Sequence, residues 1–194
     1  MKVCGLTGGM GMGKSTAARY LQTRGIPVVD TDELARQLAE PGQAAFGEIR
    51  AEFGSQVIDT DGQLRRDELA RIVFADAPAR KKLEAILHPR IRERWLAQIE
   101  DWRGDNQPLA IVVIPLLFET QAEASFNKII CAASSASAQR ERLQARGWTA
   151  HQIEQRLAAQ WPVKQKIARS DFVVWTDGAL EVHTQQLDRI LARV

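Results

Sequence analysis

The eight residues Gly8-Gly9-Met10-Gly11-Met12-Gly13-Lys14-Ser15 constrain this chain more than any other feature, because they complete the pattern G-x-x-x-x-G-K-[ST] in its required context. The apolar run Val3-Cys4-Gly5-Leu6 precedes them and Thr16-Ala17-Ala18-Arg19-Tyr20-Leu21 follows, so strand, loop and helix come in order. Such glycines let successive backbone N–H groups converge on a phosphate chain, and the helix adds the positive end of its dipole. Lys14 then reaches the β- and γ-phosphates, and the Ser15 hydroxyl is the candidate ligand of Mg²⁺. A glycine-rich turn matching by accident is the competing account, and the flanking elements argue against it. The chain is expected to bind a nucleoside triphosphate.

A P-loop belongs in a parallel α/β sheet, and the remaining pattern agrees. Short β-rich runs at 3–6, 27–29, 109–114, 128–131 and 172–175 alternate with stretches of helical period, which predicts a five-stranded, mostly parallel sheet with helices on both faces. With 194 residues and 45% apolar composition the chain can build one good core, with at most a smaller satellite unit. We read a single domain over 1–194 with its core in 1–31, 108–136 and 170–194. The closing segment puts Leu180, His183, Leu187, Ile190 or Leu191, and Val194 three or four apart, one helical stripe with His183 simply packed. Between the second and third strands lies too much chain for a simple crossover. Helical patterns recur there at 32–39, 43–53, 67–74, 79–87 and 89–102, with Asp59-Thr60-Asp61-Gly62 as a turn. The segment 32–107 is therefore expected to be a helical insertion over the strand ends, where open α/β sheets bind ligands.

Charge excludes some partners. With 26 basic and 24 acidic residues, a net charge of +2 offers no bulk attraction for nucleic acid, so anion recognition must be local. Cys4 and Cys131 lie in apolar strand-like runs and read as buried free thiols, which fits a reducing compartment. The apolar stretch 109–118 is well short of the roughly 18 residues of a membrane span. A first strand at Lys2 leaves no room for a leader peptide, so a cytoplasmic location is expected.

Two further clusters carry chemistry. Val28-Val29-Asp30-Thr31-Asp32 sends two carboxylates off the tip of the second strand, on the P-loop side of the sheet. A carboxylate there can orient an acceptor hydroxyl and take its proton, and its neighbour can hold Mg²⁺-bound water. Helix capping by Thr31 or Asp32 explains the same residues equally well. Arg140, Arg142 and Arg146 precede Gly147-Trp148, after which Thr149 and Gln152 fit a capping box and Arg156 follows. This reads as a helix pair over 137–169 joined by a tight turn. Its guanidinium groups suit a lid over a triphosphate, although solvated helix faces carry arginines too. The central strand Ile111-Val112-Val113-Ile114 lacks the acidic end of a Walker-B ATPase, and Asn127-Lys128-Ile129-Ile130 lacks the final carboxylate of a guanine-binding element. A small-molecule kinase remains.

From end to end the chain resembles the dephospho-coenzyme A kinases. The resemblance rests on Leu6-Thr7 with the P-loop through Thr16, Asp30-Thr31-Asp32 with Ala35-Arg36, Leu87-His88-Pro89, Pro115-Leu116-Leu117-Phe118-Glu119, Arg140, Arg146, and Arg156 with Ala158-Ala159-Gln160. It implies Mg²⁺- and ATP-dependent phosphorylation of the ribose 3′-hydroxyl of dephospho-CoA. By the same resemblance, Gly11, Met12, Gly13, Lys14, Ser15 and Thr16 form the ATP loop, and Asp32 stands nearest the acceptor hydroxyl. Lys14, Asp32, Arg140 and Arg146 are then the catalytic set, with the two arginines in the lid, and Thr7, Arg36, His88, Leu116 and Glu119 surround the acceptor. His88 also reads as a helix-start residue with Pro89 at the first helical position. Two departures stand out. The family's Asn-containing turn near the last strand is Thr176-Asp177-Gly178 here, leaving Thr176 or backbone groups for any adenine contact, and its Arg-Asp-Gly lid turn is Arg146-Gly147-Trp148. A kinase for another nucleotide or small alcohol would keep the P-loop and Asp32 but differ in the insertion, and a non-catalytic nucleotide sensor would need neither Asp32 nor the lid.

Overall fold

The computed structural model describes residues 1–194, and contacts divide them into two compact units, one of Met1–Asp30 with Ile99–Val194 and one of Thr31–Gln98. The larger unit is built on five parallel strands, β1 (Lys2–Gly8), β2 (Val28–Asp30), β3 (Leu109–Val113), β4 (Lys128–Ala133) and β5 (Phe172–Trp175), in the order β2-β3-β1-β4-β5. The five expected strands are all present, with ends displaced by up to two residues, as short strands bounded by loops allow.

Alternation explains the two faces of the sheet. Cys4 and Leu6 of β1, Ile111 and Val113 of β3, and Ile130 and Ala132 of β4 share one face. They pack against Ala17, Ala18 and Leu21 of α1 (Lys14–Thr23) and against Leu187 and Ile190 of α9 (Leu180–Leu191). Burying each of these leucines contributes about 1.5–3 kcal/mol relative to leaving it exposed. Of the stripe foreseen on the closing segment, His183, Leu187 and Ile190 form the buried face of α9, with Leu191 and Val194 packed beside the core, whereas Leu180 at its start is exposed; the buried His183 has its Nε2 unpartnered. Cys4 and Cys131 are buried free thiols, each pushed up to about 11 mainly by desolvation.

The smaller unit is helical: α2 (Thr31–Leu38), α3 (Ala44–Phe53), α4 (Arg66–Ala75) and most of α5 (Ala77–Gly104), with a core of Ala39, Ile49, Phe53, Val57, Leu69 and Val73. The Asp59 carboxylate closes the expected turn by accepting from the N–H groups of Asp61 and Gln63. One expectation fails here. The helices foreseen at 79–87 and 89–102 are a single helix that runs through Pro89. Pro89 lacks an N–H to give to the helix, and the Arg90 guanidinium reaches back to donate to the Ile86 carbonyl at 2.7 Å. Leu83, Ile86 and Leu87 pack on the helical core on the N-terminal side of the proline. The boundary between units consequently falls inside α5, after Gln98, and not at 107. His88 and Pro89 do not start a helix.

After β4 come α6 (Ala136–Gln144), α7 (Ala150–Ala158) and the short α8 (Val163–Ala168). Both reciprocal bonds of the Thr149–Gln152 capping box are formed at the start of α7. Ser135 caps α6, and its own N–H and hydroxyl donate to the Asp177 carboxylate beyond β5.

Candidate active site

The P-loop leaves the C-terminal end of β1, the central strand, and turns into α1. Two glycines are dictated by geometry. At Gly8, with φ +143°, a Cβ would lie 2.2 Å from the Ala132 carbonyl oxygen of the neighbouring strand. At Gly13, with φ +85°, it would lie 2.9 Å from Thr176 Cγ2. Only glycine adopts these conformations without strain. Lys14, at the first position of α1, donates its ammonium to the carbonyls of Gly8 (2.9 Å) and Gly9 (3.0 Å), curling over the concave face of its own loop. The Ser15 side chain is exposed beside it.

Side chains from distant parts of the sequence shape this loop. Arg142 of α6 donates to Thr176 Oγ1 (2.8 Å), to the Thr176 carbonyl and to the Gly11 carbonyl (3.4 Å). Thr176 in turn donates to the Met12 carbonyl at 3.3 Å. The threonine that stands where the family's asparagine turn was expected is thus 6% exposed and committed to the loop. The sequence offers Arg142 only as one member of an arginine cluster, and its partner Thr176 lies far along the chain, just past β5, so no local pattern could have singled it out.

Arg140 and Arg146 both lie at the surface. Arg140 pairs with Glu154 of α7 at 2.8 Å, half exposed, and Arg146 is exposed just past the end of α6. Arg156 lies over the Trp148 ring at 4.4 Å. The Arg140–Glu154 pair ties α6 to α7, and the Arg156–Trp148 contact ties α7 to the turn before it.

At the end of β3 a second group forms around the Pro115 carbonyl. The Thr7 hydroxyl donates to it at 3.3 Å, and the fully buried Lys166 of α8 donates at 2.6 Å. Lys166 also pairs with Glu119 Oε1 at 2.8 Å, and the same oxygen accepts from the Trp161 N–H at 2.7 Å. Glu119 Oε2 is buried with no partner in the protein. Thr7, Leu116 and Glu119 therefore gather at the P-loop end of the sheet, and the lysine beneath them was invisible in the sequence, because lysines on short helices are mostly exposed.

In the helical unit, Thr31 and Asp32 occupy the first turn of α2. The exposed Asp32 carboxylate complements the helix dipole. Arg36 pairs with Glu33 at 3.2 Å on the exposed face. His88, half-buried in α5, is held below its ordinary pKa by desolvation, so its ring is neutral near pH 7.

A parallel sheet of this strand order, a P-loop at the carboxyl end of its central strand and an arginine-bearing helix pair after β4 define a P-loop kinase. Shikimate kinase from Bacteroides thetaiotaomicron shares the fold with a TM-score of 0.53 at 15% identity over 98% of both chains. The particular family is equally plain: the chain belongs to the dephospho-CoA kinases, whose family model (CoaE, dephospho-CoA kinase) matches residues 2–181. Dephospho-CoA kinase of Anaeromyxobacter dehalogenans is 45% identical over 99% of this chain and 92% of its own length. That of Bdellovibrio bacteriovorus is 40% identical over 98% and 95%. Among solved structures, TT1252 from Thermus thermophilus superposes with a TM-score of 0.81 at 32% identity, covering all of this chain and 97% of that one.

Proposed function

We propose that this protein transfers the γ-phosphoryl group of ATP to the ribose 3′-hydroxyl of dephospho-CoA, giving CoA and ADP in the last step of CoA biosynthesis. The observation that carries this reading is the family match over residues 2–181 together with an intact P-loop on a central parallel strand. Dephospho-CoA and ATP are then the partners, and the two unpaired thiols fit a reducing, cytoplasmic setting.

In this reading the backbone of Gly11, Met12, Gly13, Lys14, Ser15 and Thr16 holds the triphosphate. Lys14 exchanges the carbonyls of Gly8 and Gly9 for the β- and γ-phosphates, a swap of acceptors that needs only side-chain rotation. Mg²⁺ fits the donor set. It prefers one or two protein oxygens plus phosphates to an all-protein cage, and Ser15 offers an exposed hydroxyl at the start of α1. When bound, the ion neutralises charge on the β- and γ-phosphates.

Asp32 aligns the acceptor hydroxyl and accepts its proton. Because the transition state is loose, positioning outweighs early deprotonation. Arg36 and His88 bind the acceptor nucleotide, the neutral His88 ring offering one donor and one acceptor. Thr7, Leu116 and Glu119 also serve the acceptor, and Glu119 Oε2 is the atom that remains to take a hydrogen bond from it. Arg140 and Arg146 release their present surroundings to neutralise the transferring group, and closure excludes water as a competing acceptor.

A coupled ADP-release assay tests the reading, with dephospho-CoA, shikimate, gluconate and nucleoside monophosphates offered in turn. Turnover that depends on dephospho-CoA is expected. Faster turnover of any other acceptor would assign the chain to a different alcohol or nucleotide.

A further inference from the structure

Two glutamines, one on α6 and one just past α7, close on a single residue of the P-loop. Gln139 of α6, adjacent to Arg140, donates Nε2 to the Met10 carbonyl at 2.7 Å. Gln160, just beyond the end of α7, accepts the Met10 N–H on Oε1 at 3.1 Å. Met10 is the third residue of the G-x-x-x-x-G-K-S pattern, so the pair grips both polar groups of a single loop residue. The two amides are not interchangeable: a carbonyl demands a donor and an N–H an acceptor, which sets each side chain's orientation. Gln139 is 7% exposed, and a Cβ on Gly9 would come within 3.1 Å of its Nε2, so this amide lies directly against the loop.

The grip is anchored behind the loop as well. Trp161, next to Gln160, gives its N–H to Glu119 and stacks on Phe118 with ring centroids 6.2 Å apart. The base of α7 is thereby tied through consecutive residues to the P-loop and to the segment after β3. All of these residues lie in one compact unit.

We propose that Gln139 and Gln160 are positioning residues for phosphoryl transfer. Acting through Met10, they hold the phosphate loop in register with α6, which carries Arg140 and leads into Arg146, so that loop N–H groups and guanidinium groups meet the same triphosphate. Neither touches the reacting atoms. A glycine-rich loop is expensive to order, and ordering it in advance removes reorganisation from the reaction step. This inference rests on the ATP-dependent kinase reading.

The same substitution tests the two glutamines in opposite directions. Gln160→Glu keeps an oxygen for the Met10 N–H, whereas Gln139→Glu sets a carboxylate against a carbonyl and abolishes the bond. Steady-state kinetics of Gln160→Leu, Gln160→Glu and Gln139→Glu, with thermal unfolding of each, form the experiment. For Gln160→Leu and Gln139→Glu we expect kcat to fall by about 10- to 100-fold with KM for dephospho-CoA nearly unchanged, since loop misplacement of about 1 Å costs on that order. Gln160→Glu should recover most of the kcat lost in Gln160→Leu, its added charge appearing in KM for ATP and shrinking with salt.

Wild-type kcat in Gln160→Leu, or equal losses in Gln160→Leu and Gln160→Glu, would overturn the clamp. If burial of a charge unfolds Gln139→Glu, the contrast between the two Gln160 variants decides alone. Wild type run in parallel separates the claims. Absence of dephospho-CoA-dependent ADP release in wild type removes the functional reading, while normal wild-type turnover with unaltered variants removes only the clamp.

Discussion

Asp32 and Lys166 show how differently one charged residue can be placed by the same chain. Asp32 sits exposed in the first turn of α2, where its carboxylate complements the helix dipole. Asp32→Asn should change stability by less than about 1 kcal/mol. It should lower kcat by about 10²-fold, because an amide cannot accept the hydroxyl proton. Near wild-type turnover would leave Asp32 with only its helix role and move attention to Asp30. Lys166 is the opposite case, with no solvent exposure and with Glu119 and the Pro115 carbonyl as its partners. Lys166→Met should cost roughly 3–5 kcal/mol of unfolding free energy, as removal of one member of a buried pair does. Adding Glu119→Gln should return more than half of it, since the amide oxygen still accepts from Trp161 and no lone charge remains. A denaturant series on both variants checks this, and purely additive losses would mean the pair is not coupled.

At the scale of elements, α5 and α7 carry opposite lessons about local pattern. Pro89 marks a helix end in most sequences, and here packing of Leu83, Ile86 and Leu87 on one side of it, with Trp95 and Ile99 buried on the other, outweighs the proline. The N-terminus of α7 was legible because a capping box is a local device whose two bonds involve residues three apart. What these helices do is separable from how they fold. The Arg140–Glu154 pair is exposed and so worth at most about 1 kcal/mol, and Arg146 is exposed. Arg140→Ala and Arg146→Ala should therefore leave the melting temperature within a few degrees of wild type while turnover falls far more, by about tenfold or more. Unchanged kinetics in both variants would return these residues to an ordinary solvated surface.

For the molecule as a whole, acid should loosen the fold before it touches most carboxylates. Desolvation holds His88 and His183 below their ordinary value of 6.5, the neighbouring Arg142 adding to the effect on His183. An unfolded chain accepts those protons more readily than the folded one. Their contribution is thus complete above about pH 6.5 and is lost as the pH falls below it. Unfolding midpoints in denaturant should drop between pH 7.5 and 5.5, and His183→Leu should flatten that slope. A slope unchanged by the substitution would leave His183 out of the effect. The sequence by itself determined what depends on neighbours along the chain: the P-loop between its strand and helix, five strands from runs of β-rich residues, the capping box, the turn at Asp59, and the family to which the motifs point. Periodicity and turn chemistry act over a few residues, so a few residues suffice to read them. Only the tertiary structure decided that α5 runs through Pro89, that Thr176 and Arg142 brace the P-loop, that Lys166 is buried on Glu119, and that Gln139 and Gln160 meet at Met10. Each of these joins residues brought together by folding, and the energy of burial and of paired polar groups depends on that meeting, which no spacing along the chain encodes.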